Sequence, residues 1–138
     1  MAVSLTNALG EDYRLGNSVW SLVLNLAQRY GWKPLGTLLP AELDESTRLS
    51  GDYDTSDGQT VTSTDAAAFS QSLRAATADR NLEMAVRKVI VAIAEAVRAQ
   101  FGDDIAALYM SSMPAADDLR PILEDLCDFC RQGEFVIE

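Results

Sequence analysis

The sequence predicts an α+β fold: a mainly helical single domain, residues 1–138, with a small antiparallel sheet formed by the N-terminal hairpin and the C-terminal strand. Three observations predict it. Apolar and polar residues alternate in AVSLT at residues 2–6, and Phe135-Val136-Ile137 is a short run of strand-forming residues at the other end. Between them, apolar residues recur at helical spacing. The length, with 48% hydrophobic and 23% charged residues, suits one ordinary globular domain. A chain of this size buries roughly 68% of its unfolded surface and needs no disulfide or metal to hold a core.

The first strand leads into a turn-rich stretch, Asn7 to Asp12 with Gly10, and then into Tyr13 and Leu15. This reads as a β-hairpin. Asn17 has the chemistry of a helix N-cap, because its side chain accepts from the N–H groups of a first turn. The helix it opens, Ser18 to Tyr30, is apolar nearly all round, so it is central or faces both a core and a partner. Gly31 closes it. Residues 31–60 then change style, with Pro34, Gly36, Pro40, Gly51 and Gly58 as punctuation. Thirty residues without regular structure are unusual inside a compact domain. The aromatic residues and leucines here predict a packed, ordered loop, with one helical turn near 42–47 and an extended piece at 59–61.

Thr62-Ser63-Thr64-Asp65 resembles a capping box with Asp at its last position. It opens a helix to about Thr77. Asp79 is placed to cap the next helix, Arg80 to Phe101, in which Leu82, Val86, Val89, Ile90, Ile93, Val97 and Phe101 share one face. That stripe predicts the backbone of the core. Gly102 stops it, and Asp103 caps a short helix over 104–110. The last helix, about 119–132, carries Pro121 in its first turn, where the missing N–H does little harm, and ends at Gly133. The final strand then joins the hairpin in a three-stranded sheet.

Composition excludes much chemistry. There is no histidine, so Ser-His-Asp and Cys-His nucleophiles, a histidine base and histidine metal ligands are all absent. An enzyme would rely on carboxylates, on Lys33 or Lys88, on tyrosines, or on Cys127 and Cys130. The net charge of −10 repels phosphates and anionic headgroups, and the nine arginines are scattered, so neither nucleic acid nor membrane is an expected partner. No apolar run approaches the roughly 20 residues of a membrane span, and no leader-like segment is evident. Two cysteines make no disulfide framework, which points to reduced thiols and a cytoplasmic protein.

Four motifs bear on chemistry. Cys127-x-x-Cys130 lies near a helix C-terminus among Glu124, Asp125, Asp128 and Glu134. That setting raises thiol pKa values, the opposite of a redox motif. Two cysteines also fall short of the four ligands of a zinc site. Asp52, Asp54 and Ser56 alternate as in a calcium loop, with Asp57 beside them, but the sixth and twelfth positions, Asp57 and Ser63, are not the glycine and glutamate required. The adjacent pairs Asp44/Glu45, Asp103/Asp104 and Asp117/Asp118 do not face each other on a helix. Trp32, followed by Lys33-Pro34, is either a docking anchor or a plug that holds the loop down through a bond from its N–H to a carbonyl.

Three segments together resemble a known group. They are Asn17-Ser18-x-Trp20 running to Gly31-Trp32-Lys33-Pro34-x-Gly36-Thr37, then Gly51-Asp52-Tyr53 to Asp57-Gly58-Gln59-x-Val61-x-x-x-Asp65-Ala66, then Phe129-Cys130-x-x-Gly133-x-Phe135-x-Ile137. The chain resembles small uncharacterised bacterial proteins with these signatures. The resemblance implies a complete bacterial protein and carries no catalytic residue across.

The expected function is a non-enzymatic acidic protein–protein interaction module, immunity or antitoxin-like in its sharpest form. Its partner is a basic protein, or a second copy docked through the apolar first helix. Binding is expected at Trp32, Lys33, Tyr53, Asp52, Asp54 and Asp57, with no catalytic residue, no metal site and no cofactor. The alternative is a carboxylate-based or divalent-metal-dependent enzyme using loop 32–57.

Overall fold

A computed structural model describes residues 2–38, 53 and 58–138. Its elements are β1 (Ala2–Asn7), β2 (Asp12–Gly16), α1 (Asn17–Arg29), β3 (Gln59–Val61), α2 (Ser63–Ala78), α3 (Leu82–Phe101), α4 (Asp103–Ser111), α5 (Ala116–Arg131) and β4 (Phe135–Ile137). The architecture is the mainly helical α+β type that the sequence predicts. The helical turn expected at 42–47 lies outside the described residues.

Asn7 builds the hairpin. Its backbone carbonyl accepts from Gly10 N, and its side-chain Oδ1 accepts from Leu9 N and Glu11 N at 3.0 and 2.9 Å. Gly10 takes the positive φ (79°) that this turn requires. The sheet has four strands, not three, in the order β2-β1-β4-β3, all antiparallel. The extended piece at 59–61 is the added strand. β4 has two hydrogen-bonding edges, and β1 satisfies only one of them. In register, Ile137 pairs with Leu5 on one side and with Gln59 on the other. Period-2 alternation turns Val3, Leu5, Leu15, Val61, Phe135 and Ile137 inward, all buried.

α1 is central. Trp20, Leu22, Val23, Leu24, Leu26 and Ala27 are buried, so most of its apolar residues are used inside the chain. Gly16 rather than Asn17 is its N-cap. α2 packs most extensively on α5, burying Phe69, Leu73 and Ala76 with Leu119, Leu123 and Leu126. Arg120 of α5 donates to the carbonyls of Thr77 and Asp79, where the last turn of α2 leaves acceptors open. Tyr30 Oη donates to Asp79 Oδ2 at 2.5 Å, tying the end of α1 to the same corner.

α3 corrects an expectation. Only Leu82, Ala85, Val86, Val89 and Ala94 are buried; Ile90, Ile93 and Val97 are half-buried, and Phe101 is 61% exposed. The apolar period predicted a fully buried stripe, but Ile90 and Ile93 only border the main core, and α3 makes its largest contact with short α4. The helix starts at Leu82 because Asp79 Oδ1 and O accept from Asn81 and Leu82, making a turn of residues 79–81. Asp103 lies inside α4, whose N-cap is Gly102. α5 begins at Ala116, earlier than expected, with Asp117 and Asp118 in a first turn that favours negative charge. Pro121 therefore sits in the second turn, where it removes the bond to the Asp117 carbonyl.

Candidate functional site

Local sequence positions Trp32. Gly31, at φ 102°, ends α1, with Gly31 N donating to Gln28 O and Trp32 N donating to Ala27 O. This 6→1 and 5→2 pair is a Schellman motif. It turns the chain back so that Trp32 enters the core beside Ala27, and leaves Lys33, Pro34 and Leu35 exposed. Trp32 is 4% exposed. Its ring is an internal plug rather than a face offered to a partner.

The acceptor for its indole is a carboxylate, not the expected carbonyl. Trp32 Nε1 donates to Asp65 Oδ1 at 2.9 Å. Asp65 is the third residue of α2. Thr62, the N-cap, accepts from Asp65 N at 3.3 Å, as the capping motif predicts. The Asp65 carboxylate itself turns inward and is fully buried. Its other oxygen accepts from Tyr53 Oη at 2.5 Å. That hydroxyl accepts in turn from Gly36 N at 2.8 Å, and the Tyr53 carbonyl accepts from Trp20 Nε1 at 2.6 Å.

The rings close round these bonds. Trp32 meets Tyr53 edge-on at 5.0 Å and Phe69 at 4.7 Å, and Trp20 meets Phe69 at 5.9 Å. Burial pushes the Tyr53 phenol well above its ordinary range, and its bond to Asp65 adds to this. Leu38 bridges Thr60 through two backbone bonds of 2.9 and 2.8 Å, fixing the start of the loop to the outer edge of β3. The cluster thus clamps the loop at Trp32, Gly36, Leu38 and Tyr53.

Of the residues expected to bind, Trp32 and Tyr53 are brought together and Lys33 lies exposed beside them. Asp52, Asp54 and Asp57 lie outside the described residues. Among the described residues, no three His, Cys, Asp or Glu side chains converge as a metal site requires. The thiols are internal: Cys127 lies against Ser70, with Sγ 3.3 Å from the Ser70 carbonyl, and Cys130 has no exposure. Burial raises the Cys130 thiol far above its ordinary range.

A second site was not singled out from the sequence. β2 and α5 flank an open groove of about 270 Å³. Its floor is Tyr13 and Phe129, with ring centroids 6.2 Å apart. Its rim carries Glu11, Asp12, Asp125 and Asp128. Glu11 is held by Asn7 Nδ2 at 2.9 Å and Asp12 by the Thr6 hydroxyl at 2.8 Å, while Asp128 pairs with exposed Arg131. The Tyr13 phenol is raised first by burial and then by the Asp125 charge. The available signal was the three-residue spacing of Asp125 and Asp128 on one helix face. It joins Glu11 and Asp12 only once the hairpin is seen to pack beside α5.

Comparison with family models, with curated proteins and with solved structures finds no match for this chain. No described helix is long and apolar enough to cross a membrane.

Proposed function

We propose that the protein is a non-enzymatic acidic interaction module that docks a basic segment of another protein in the groove between β2 and α5. An immunity or antitoxin-like protein meeting a basic toxin is the sharpest form of this reading. The observation that supports it is the pairing of an aromatic floor with a four-carboxylate rim. An arginine or lysine over Tyr13 and Phe129 gains a cation–π contact, and the rim supplies charge-assisted acceptors. The carboxylates are spread along the groove rather than converging on a point, which suits several basic side chains better than one metal ion. The net charge of −10 steers such a partner inward and speeds its encounter. A cytoplasmic location is part of this reading, supported by two buried free thiols.

The test titrates an arginine-rich peptide into isotopically labelled protein. Amide shifts confined to residues 11–13 and 125–132, saturable and weakened by salt, are expected. The paired change Asp125→Asn and Asp128→Asn then removes them. Shifts spread over all acidic surfaces, or none in the groove, would overturn the reading.

A further inference from the structure

The outward face of α3 leaves apolar side chains exposed. Met84 is 59% exposed and Val91 41%. Lys88, Glu95 and Arg98 lie exposed along the same side. Met84, Val91 and Arg98 are seven residues apart, and so are Lys88 and Glu95. That is the repeat of a seam between two helices. α3 carries three basic and two acidic residues, whereas the chain as a whole carries −10.

The charges on this face fall into two classes. Arg87 is paired with Glu83 at 3.3 Å, and Arg98 with Asp103 at 3.0 Å. Among the described residues, Lys88 and Glu95 take part in no ion pair. They stand two turns apart, about 10 Å along the axis, too far to meet each other. Their signs are opposite, and the midpoint between them falls between Val91 and Ala92.

We propose that this face is a homodimer interface, in which α3 packs antiparallel against α3 of a second copy about a two-fold axis at Val91–Ala92. The occupant is argued from charge complementarity. Such an axis sets Lys88 against the partner subunit's Glu95, and the reverse pair follows by symmetry, as in any isologous contact. At the centre Val91 meets the partner subunit's Val91 across the axis. The mixed charge of α3 gives two copies of a −10 protein a face on which they can meet. The interface shares no residue with the acidic groove, so its fate is independent of the reading above.

The experiment measures the mass of the full chain in solution by sedimentation, over a range of concentrations. The expected species is twice the 15.0 kDa of one chain. Lys88→Glu alone and Glu95→Lys alone each juxtapose like charges twice and weaken the dimer by at least about tenfold. Mixing the two variants restores it, because both contacts in the mixed dimer are then opposite in sign. Both positions are exposed, so each variant keeps the helical content of the parent and unfolds cooperatively; Val91→Glu is a further variant that should leave a monomer. A parent that stays at 15.0 kDa at its highest soluble concentration overturns the proposal. So does a dimer that ignores the charge changes, or one that mixing does not restore.

Discussion

Trp32 and Asp65, 33 residues apart in sequence, share a buried hydrogen bond of 2.9 Å that fastens the start of the long loop to the first turn of α2. Among the described residues, an indole N–H and a phenol O–H donate to that carboxylate's two oxygens, and both belong to the loop's own anchors. Removing the carboxylate strands two donors in an apolar setting. Asp65→Ala is expected to destabilise the fold by about 3 kcal/mol or more. Asp65→Asn should cost about 2 kcal/mol, since its amide sets one donor against another. Chemical denaturation read by tryptophan fluorescence checks both.

Alkaline pH should act through Tyr53 and Tyr30. Both phenols are raised in the folded state above the ordinary value of 10.0, first by burial and then by bonds to Asp65 and Asp79; that of Tyr30 is pushed up to about 12. A raised folded pKa means that the protonated form is the stabilised one. Its contribution is complete below pH 10.0 and is lost as pH rises through the folded values. The denaturation midpoint should therefore fall above pH 10.0, and fall less in Tyr30→Phe and Tyr53→Phe.

The two halves of the helical layer should differ sharply. Leu123→Ala opens a cavity between α5 and α2, where Leu123 is fully buried, and should cost about 3 kcal/mol. Phe101→Ala removes a larger side chain that is 61% exposed. In the monomer it should cost less than about 0.5 kcal/mol. Equal losses would contradict the placement of α3.

Tyr109 buries its hydroxyl with no hydrogen-bond partner among the described residues, and burial raises its pKa. Tyr109→Phe deletes that unsatisfied group and keeps the ring. It should raise stability by about 1 kcal/mol, seen as a higher melting temperature.

Both thiols should resist a colourless-to-coloured disulfide reagent in the native protein. Cys127 is 7% exposed and Cys130 is fully buried. Reaction should rise in proportion to the unfolded fraction, and denaturant should release two equivalents at once.

What was legible in the sequence was local. The hairpin, the Thr62 cap and the Gly31 stop each depend on residues within a few positions, and each forms as read. The destination of Asp65 was not legible. Its place in a capping motif explains the backbone bond from its N–H, yet its side chain is claimed by residues 12 and 33 positions away. The reach of α3 was over-read for a related reason. An apolar period says that a face will be covered, not whether the main core or a short neighbouring helix covers it. The acidic groove needed tertiary knowledge too, since Glu11 and Asp125 are separated by nearly the whole chain.

The place of β4 has a consequence for biosynthesis. Residues 135–137 lie between the first strand and the third, so the sheet has a gap at its centre until they leave the ribosome. At roughly 5–20 residues per second, β1 waits on the order of ten seconds for its inner neighbour. During that interval the nascent hairpin and β3 each present an unpaired edge. The sheet therefore closes only after residues 135–137 have emerged, and the growing chain has reason to be shielded while it waits.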